Sequence, residues 1–242
     1  MRLAIVSDIH GNLTVLEAVA ADISRRGVDH VMHGGDLALV GGQPAEVLDR
    51  VRELGCPGIV GNTDELLWRS DQLEAQLRDA PKLHALLRLL FNEYAPATRE
   101  MLGEDRLDWL RQLPCEHHEQ DLVLVHASPG DLWRAPPADA DDAVLANTYG
   151  PCDAQMVVYG HIHRPYVRRV DQLTVANSGS VGSPFDGDPR ASYLVLESGH
   201  GEIVRVAYDI EREIDLVRRS DYPDRERIAE MRRLGRFVAV TT

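Results

Sequence analysis

Cysteine is scarce in this chain, and what little there is does not pair. Among 242 residues only Cys56, Cys115 and Cys152 occur, odd in number, far apart and without a CxxC spacing. That excludes a disulfide framework and a thiolate zinc site, and three reduced thiols are expected. Long apolar runs are missing too. No stretch approaches the length of a bilayer span, and the apolar residues after Arg2 are interrupted by Asp8, too early for the core of a secretion signal. A cytoplasmic protein without a membrane partner is the expectation. Positive charge is short as well: 26 lysines and arginines face 39 acidic residues, a net charge of −13. Such a balance disfavours a broad surface for nucleic acid or anionic lipid. A phosphate-bearing substrate must then be captured by metal ions or a few arginines. Internal repeats and low-complexity segments are also absent from the sequence.

What is present reads as one domain over residues 1–242. Leu3 to Val6 form an apolar strand-like run, and LTVLEAVAADISRRG repeats its apolar residues at helical spacing before Gly27. VDHVMHGGD supplies a second strand and PAEVLDRVRELG a second helix, while CPGIVGNTDE reads as a third strand ending at Asn62. This alternation predicts a largely parallel sheet with helices on its faces. A helical insertion is expected over about 65–113, broken near Pro96. LVLVHASPGD and AQMVVYGHIHRP restore the strand-then-turn pattern. After Pro165 short alternating runs predict antiparallel strands, with turns at Asp171-Gln172 and around Ser198-Gly199. One or two amphipathic helices should close the chain, with Pro223 at the break.

Seven metal-competent side chains fall where an apolar run gives way to a glycine-rich turn: Asp8, His10, Asp36, Asn62, His126, His161 and His163. Asp8 with His10, and His161 with His163, are spaced i, i+2, which in extended backbone places both members on one face. In open α/β sheets such groups gather at the carboxyl ends of strands. Oxygen and imidazole donors without thiolates suit manganese, iron, zinc or nickel, and a carboxylate with two usable oxygens can bridge two cations. Asp36 is the candidate bridge. Two divalent ions side by side activate water and clamp the oxygens of an in-line displacement at phosphorus, so phosphate-ester hydrolysis is the natural reaction. His30, His33, His84, His117, His118 and His200 lack this context and read as surface or core histidines. Gly34, Gly35, Gly61 and Gly160 read as turn residues permitting positive φ, and Asp64 as a helix cap. Arg134, Arg164 and Arg190 each follow a loop of the expected site and are candidates for phosphate, Arg164 and Arg134 foremost.

The blocks SDIHGN, GGDL, GNTDE, VHASP and GHIHRP, in this order, resemble the signature of the calcineurin-like metallophosphoesterase superfamily over roughly residues 3 to 185. The resemblance implies a four-layer α-β-β-α sandwich with two facing mixed sheets. It implies that Asp8, His10, Asp36 and His163 hold one divalent metal, manganese foremost, and that Asp36, Asn62, His126 and His161 hold the other, Asn62 being also catalytic. A hydroxide bridging the two would attack phosphorus in a small phosphoester. Where the family has Gly-Asn-His before an acidic residue, this chain has Gly61-Asn62-Thr63-Asp64. Thr63 cannot supply an imidazolium proton. In this it resembles the small prokaryotic phosphodiesterase branch, which implies a phosphodiesterase. A phosphomonoesterase or nucleotide phosphatase is the alternative activity, and a catalytically silent scaffold the alternative class, which seven filled positions argue against.

Overall fold

The computed structural model describes residues 1–119 and 121–240. The chain opens with β1 (Arg2–Val6), α1 (Leu13–Arg25), β2 (His30–His33) and α2 (Pro44–Glu53). Asn12 starts α1 by accepting from the Val15 N–H at 3.0 Å, and Gly27, in a left-handed conformation, ends it. A helical stretch follows: α3 (Asn62–Leu66), α4 (Leu73–Asp79), α5 (His84–Leu89), α6 (Ala95–Leu102) and α7 (Glu104–Arg111). Next come β3 (Glu116–Glu119), β4 (Leu122–Val125), α8 (Asp142–Tyr149), β5 (Met156–Tyr159), β6 (Tyr166–Val170), β7 (Leu173–Asn177), β8 (Ala191–Glu197) and β9 (His200–Val206). The helices α9 (Ile210–Arg219) and α10 (Arg225–Leu234) complete the described elements.

The strands form two mixed sheets, ordered β2-β1-β8-β9 and β3-β4-β5-β7-β6. Within them β1 runs parallel to β2, and β4, β5 and β7 run parallel to one another, while the remaining pairings are antiparallel. Strand alternation sorts the side chains into layers. Leu3 and Ile5 face inward and meet Leu124, Met156, Val158 and Ala176 of the other sheet. Ala4 and Val6 face outward onto Val15, Leu16 and Val47 of α1 and α2. On the far side Val123, Val157 and Val175 pack against Leu145 and Tyr149 of α8. The result is the expected arrangement of helices, two facing sheets and helix. Among the described residues no helix is long and apolar enough to cross a membrane.

Three local expectations are corrected. The third strand through Cys56–Val60 shrinks to a single parallel bridge between His33 and Gly58. Its hydrogen bonds are divided: Ile59 N–H donates to the His33 carbonyl, but Val60 N–H turns away to the Pro114 carbonyl. Strand β3 was not expected, because Glu116-His117-His118-Glu119 carries no apolar alternation. It is an edge strand paired only with β4, where charged side chains are tolerated and discourage further pairing. Pro96 does not break the helical run. A π-helical turn at Leu90–Tyr94 absorbs it, and Pro96 falls in the first turn of α6, where its missing N–H is not needed.

Candidate metal centre

The turns that leave β1, β2, β4 and β5 meet at one end of the two sheets, and main-chain bonds hold them in register. Asp8 N–H donates to Gly35 O and His10 N–H to Asp36 O, both at 3.0 Å, while Gly160 N–H donates to His126 O at 3.0 Å. Ser180 Oγ and the Gly182 N–H both donate to the Asp8 carbonyl. This lattice brings all seven expected donors together. His163 Nε2 lies 3.1 Å from Asp8 Oδ1 and 3.2 Å from His10 Nε2, and His10 Nε2 lies 3.8 Å from Asp36 Oδ2. On the other side of Asp36, His126 Nε2 is 3.5 Å from Oδ1. Asn62 Oδ1 is 2.8 Å from His126 Nε2 and 3.0 Å from His161 Nδ1.

The route to this convergence differs from the expected one. Asp8, His10, Asp36, His161 and His163 all have positive φ, between 51° and 63°. They lie beyond the strand ends in left-handed turns, so the i, i+2 pairs meet through the turns and not through strand alternation. Non-glycine residues reach this region at a cost of roughly 1 kcal/mol or more each, which the surrounding hydrogen bonds must offset. The glycines are corrected in the same sense. Of the four, Gly35 alone has positive φ. Gly61 and Gly160 are small because of crowding: a Cβ on Gly61 would collide with the Asp36 carboxylate, and one on Gly160 with Ser7 Oγ and the Asp8 carboxylate.

The donor set fits a cation. The Nδ1 atoms of His10, His126 and His163 lie 2.8, 2.8 and 2.5 Å from the carbonyls of Leu39, Gly34 and Ser183. A carbonyl only accepts, so each Nδ1 carries the proton and each Nε2 presents a lone pair inward. With these rings neutral, His10 Nε2, His163 Nε2 and Asp8 Oδ1 are three acceptors in mutual contact. Protonating His10 is disfavoured, since burial, and then the neighbouring His163, lower its pKa to about 4. His161 is likewise lowered to about 4 by burial and by His126. Burial opposes ionisation of Asp8, yet the imidazoles of His163, His126 and His10 hold it well below the usual carboxylate range. In His126, burial is outweighed by Asp36 and Asp8, which raise its pKa. A divalent ion among Asp8, His10, Asp36 and His163 would resolve the facing lone pairs.

Three further residues support the site, one of them, Asp64, read in the sequence as a helix cap. Asp64 stands in the first turn of α3, and its carboxylate accepts from Asp36 N at 2.8 Å, Leu37 N at 2.9 Å and Gly61 N at 3.1 Å. It ties the Asp36 turn to the Asn62 turn, well beyond capping its own helix. Burial and the charge of Asp36 push it up to about 7, against the N–H groups of Gly61 and Leu37 and the nearby His126. Arg232 of α10 is fully buried and donates to the carbonyls of His10 and Val40. Tyr222 Oη accepts from Val40 N at 2.8 Å, steadying a β-branched residue at φ 72°. Asp64's offset from Gly61 was a usable signal. For Arg232 and Tyr222, more than 180 residues from the turns at His10 and Val40, none existed.

Above the donors opens a cleft of about 290 Å³. His10, Asp36, Asn62, Thr63, His161 and His163 form its floor, and Leu83, Leu86, Leu90, Phe185, Met231 and Phe237 its wall. The arginines expected at phosphate lie elsewhere. Arg134 is exposed and bonded to Asp131 and Asp79, Arg190 is exposed and paired with Asp188 at 2.6 Å, and Arg164 is exposed and does not line the cleft.

A model of the calcineurin-like phosphoesterase superfamily domain matches residues 1–201, and the chain belongs to that superfamily. It is similar to an uncharacterised protein of Methanocaldococcus jannaschii, 29% identical over 249 aligned positions that cover 92% of this chain and 94% of the relative. Among solved structures, a metallophosphoesterase from Sphaerobacter thermophilus superposes with a TM-score of 0.80 at 27% identity, covering 97% of this chain and 100% of that one. A hypothetical protein from Pyrococcus horikoshii shares the fold, with a TM-score of 0.79 at 18% identity, covering 98% of this chain and 99% of that one.

Proposed function

We propose that this protein is a metal-dependent phosphodiesterase working at a two-metal centre on small phosphoesters in the cytoplasm, with manganese as the first candidate ion. The observation that carries the reading is Asp36, whose Oδ2 faces His10 and whose Oδ1 faces His126, so that one carboxylate serves two groups of donors. Membership of the phosphoesterase superfamily and the likeness to a metallophosphoesterase support it. Divalent cations bound there would activate water and neutralise charge on the phosphoryl group. The chain's own residues orient these groups. Carbonyls of Leu39, Gly34 and Ser183 fix three imidazoles in the ligating tautomer, and the Thr63 N–H donates to Asp36 Oδ1 at 2.9 Å. Thr63 lines the cleft with a buried hydroxyl that has no protein partner. A hydroxyl can donate to a phosphoryl oxygen but is a poor acid, so departure of a strongly basic alkoxide is unassisted there. That favours esters with stabilised leaving groups. Purified protein supplied with manganese should bind close to two ions per chain by elemental analysis and cleave bis(p-nitrophenyl) phosphate. Protein that retains no divalent metal and cleaves no phosphoester overturns the reading.

A further inference from the structure

The floor of the cleft is charged, but its wall is apolar and, among the described residues, offers no free cation. Leu83, Leu86, Leu90, Phe185, Met231 and Phe237 enclose the space over the donors. Leu83 and Phe237 line it with 46% and 43% of their surface in water, apolar area that a ligand in the cleft would cover. Phe185 lies flat on the His163 ring, with centroids 4.3 Å apart, and meets Phe237 edge-on at 5.7 Å. The wall thus reaches down to a donor on the floor. One cation lines the cleft, Arg227, and its guanidinium is already engaged: it donates to Tyr94 Oη at 2.6 Å, to Val238 O at 2.9 Å and to Asp224. Met231, Arg227 and Phe237 also lie beyond the matched superfamily domain, which ends at residue 201.

Resting on the phosphoesterase reading, we infer that the wall is a specificity pocket selecting a singly charged phosphoester whose second ester group is uncharged and apolar, of about the size of one aromatic ring. Three features converge on this class. The volume is at the lower end of ligand sites, enough for a ring beside a phosphate. A polyphosphate chain would meet leucine, methionine and phenylalanine, with Arg227 the one arginine among the described lining residues and already engaged by Asp224, in a protein carrying a net charge of −13. The wall reaches the donors through Phe185 on His163, so a group buried there would hold the phosphorus it carries over the floor.

The test uses two esters that share a p-nitrophenolate leaving group and a single negative charge, methyl p-nitrophenyl phosphate and phenyl p-nitrophenyl phosphate, with ATP as the polyanionic comparison. On the manganese-loaded protein the phenyl ester should lead the methyl ester by roughly tenfold to a hundredfold in kcat/KM, the value of burying one ring. ATP should be the poorest of the three. Leu83→Ser and Phe237→Ser, both at the half-exposed mouth and therefore tolerated by the fold, should each bring the phenyl-to-methyl ratio back toward one. Calorimetric titration with phenylphosphonate and methylphosphonate should show the same preference in Kd without turnover. Equal rates and equal affinities, or ATP as the best substrate, overturn the pocket and leave the phosphoesterase standing. Failure to cleave any ester, together with a clear phenylphosphonate preference that Phe237→Ser removes, overturns the catalytic reading and leaves the pocket.

Discussion

The donor cluster beneath the cleft gathers five non-glycine residues in left-handed backbone, buried or half-buried, whereas the wall above it is made of leucine, methionine and phenylalanine side chains, of which Leu83 and Phe237 are left partly in water. The floor spends backbone strain to aim lone pairs at a common point, and the strain is held by bonds such as Asp8 N to Gly35 O. The wall needs no such aiming, because burial of apolar surface is non-directional. A site that handles charge must therefore be rigid in its backbone, while the part that selects an apolar group needs only the right area and volume.

The comparison is broken most severely at its centre. Asp36→Asn keeps the shape of the floor but removes the bridging carboxylate's charge and one of its two oxygen donors, and should lower kcat/KM by on the order of a thousandfold with a fall in bound metal. Steady-state kinetics paired with elemental analysis reads both, and a variant with wild-type rate and metal content would show that the floor does not work through Asp36. Arg232→Met tests the strap that supports the floor from behind. Burial raises the pKa of Glu213, a fully buried acid that Arg232 partly stabilises. Removing the arginine also takes away its hydrogen bonds to the carbonyls of His10 and Val40 and should cost about 2–3 kcal/mol in denaturant melts. Arg232→Met with Glu213→Leu should recover much of that loss, and a double variant as unstable as the single one would contradict the charge argument.

His33 sharpens the contrast from beneath the sheet. Its ring is fully buried with neither nitrogen bonded, and burial lowers its pKa from 6.5 to about 4. The folded state thus holds it neutral where the unfolded chain takes up a proton. Its contribution is fully present above pH 6.5 and is lost as pH falls toward 4, by roughly 3 kcal/mol across that window. In metal-free protein, His33→Gln should flatten the acid limb of stability against pH by about one proton. An unchanged slope would mean that His33 does not titrate in this range. The smallest effect belongs outside both regions: Arg134→Ala, at an exposed residue held by Asp131 and Asp79, should alter kcat/KM by less than about twofold. A larger loss would bring Arg134 back to the phosphate.

Much of the scaffold was legible because its signals are local. The apolar run Leu3–Val6 gives β1, and α1 ends where Gly27 predicts. β3 was illegible because an edge strand of Glu and His pairs through its backbone, to which side-chain patterning is blind. Pro96 misled because a π-helical turn upstream accommodates it. The seven donors were legible from their recurrence after strands, but the left-handed turns that join them were not. An aspartate or histidine enters that region when neighbours over-determine it, and those neighbours are distant in sequence.

The order of residues alone determined which side chains carry the chemistry, since each donor sits in a short block whose meaning depends on adjacent residues. Tertiary structure alone decided that Asp36 stands between two donor groups, that Arg232 and Tyr222 brace the turns at His10 and Val40, and that Met231 and Phe237 close over the floor. Those relations depend on how two sheets and a C-terminal helix pair pack, and packing is fixed by contacts summed over the whole chain.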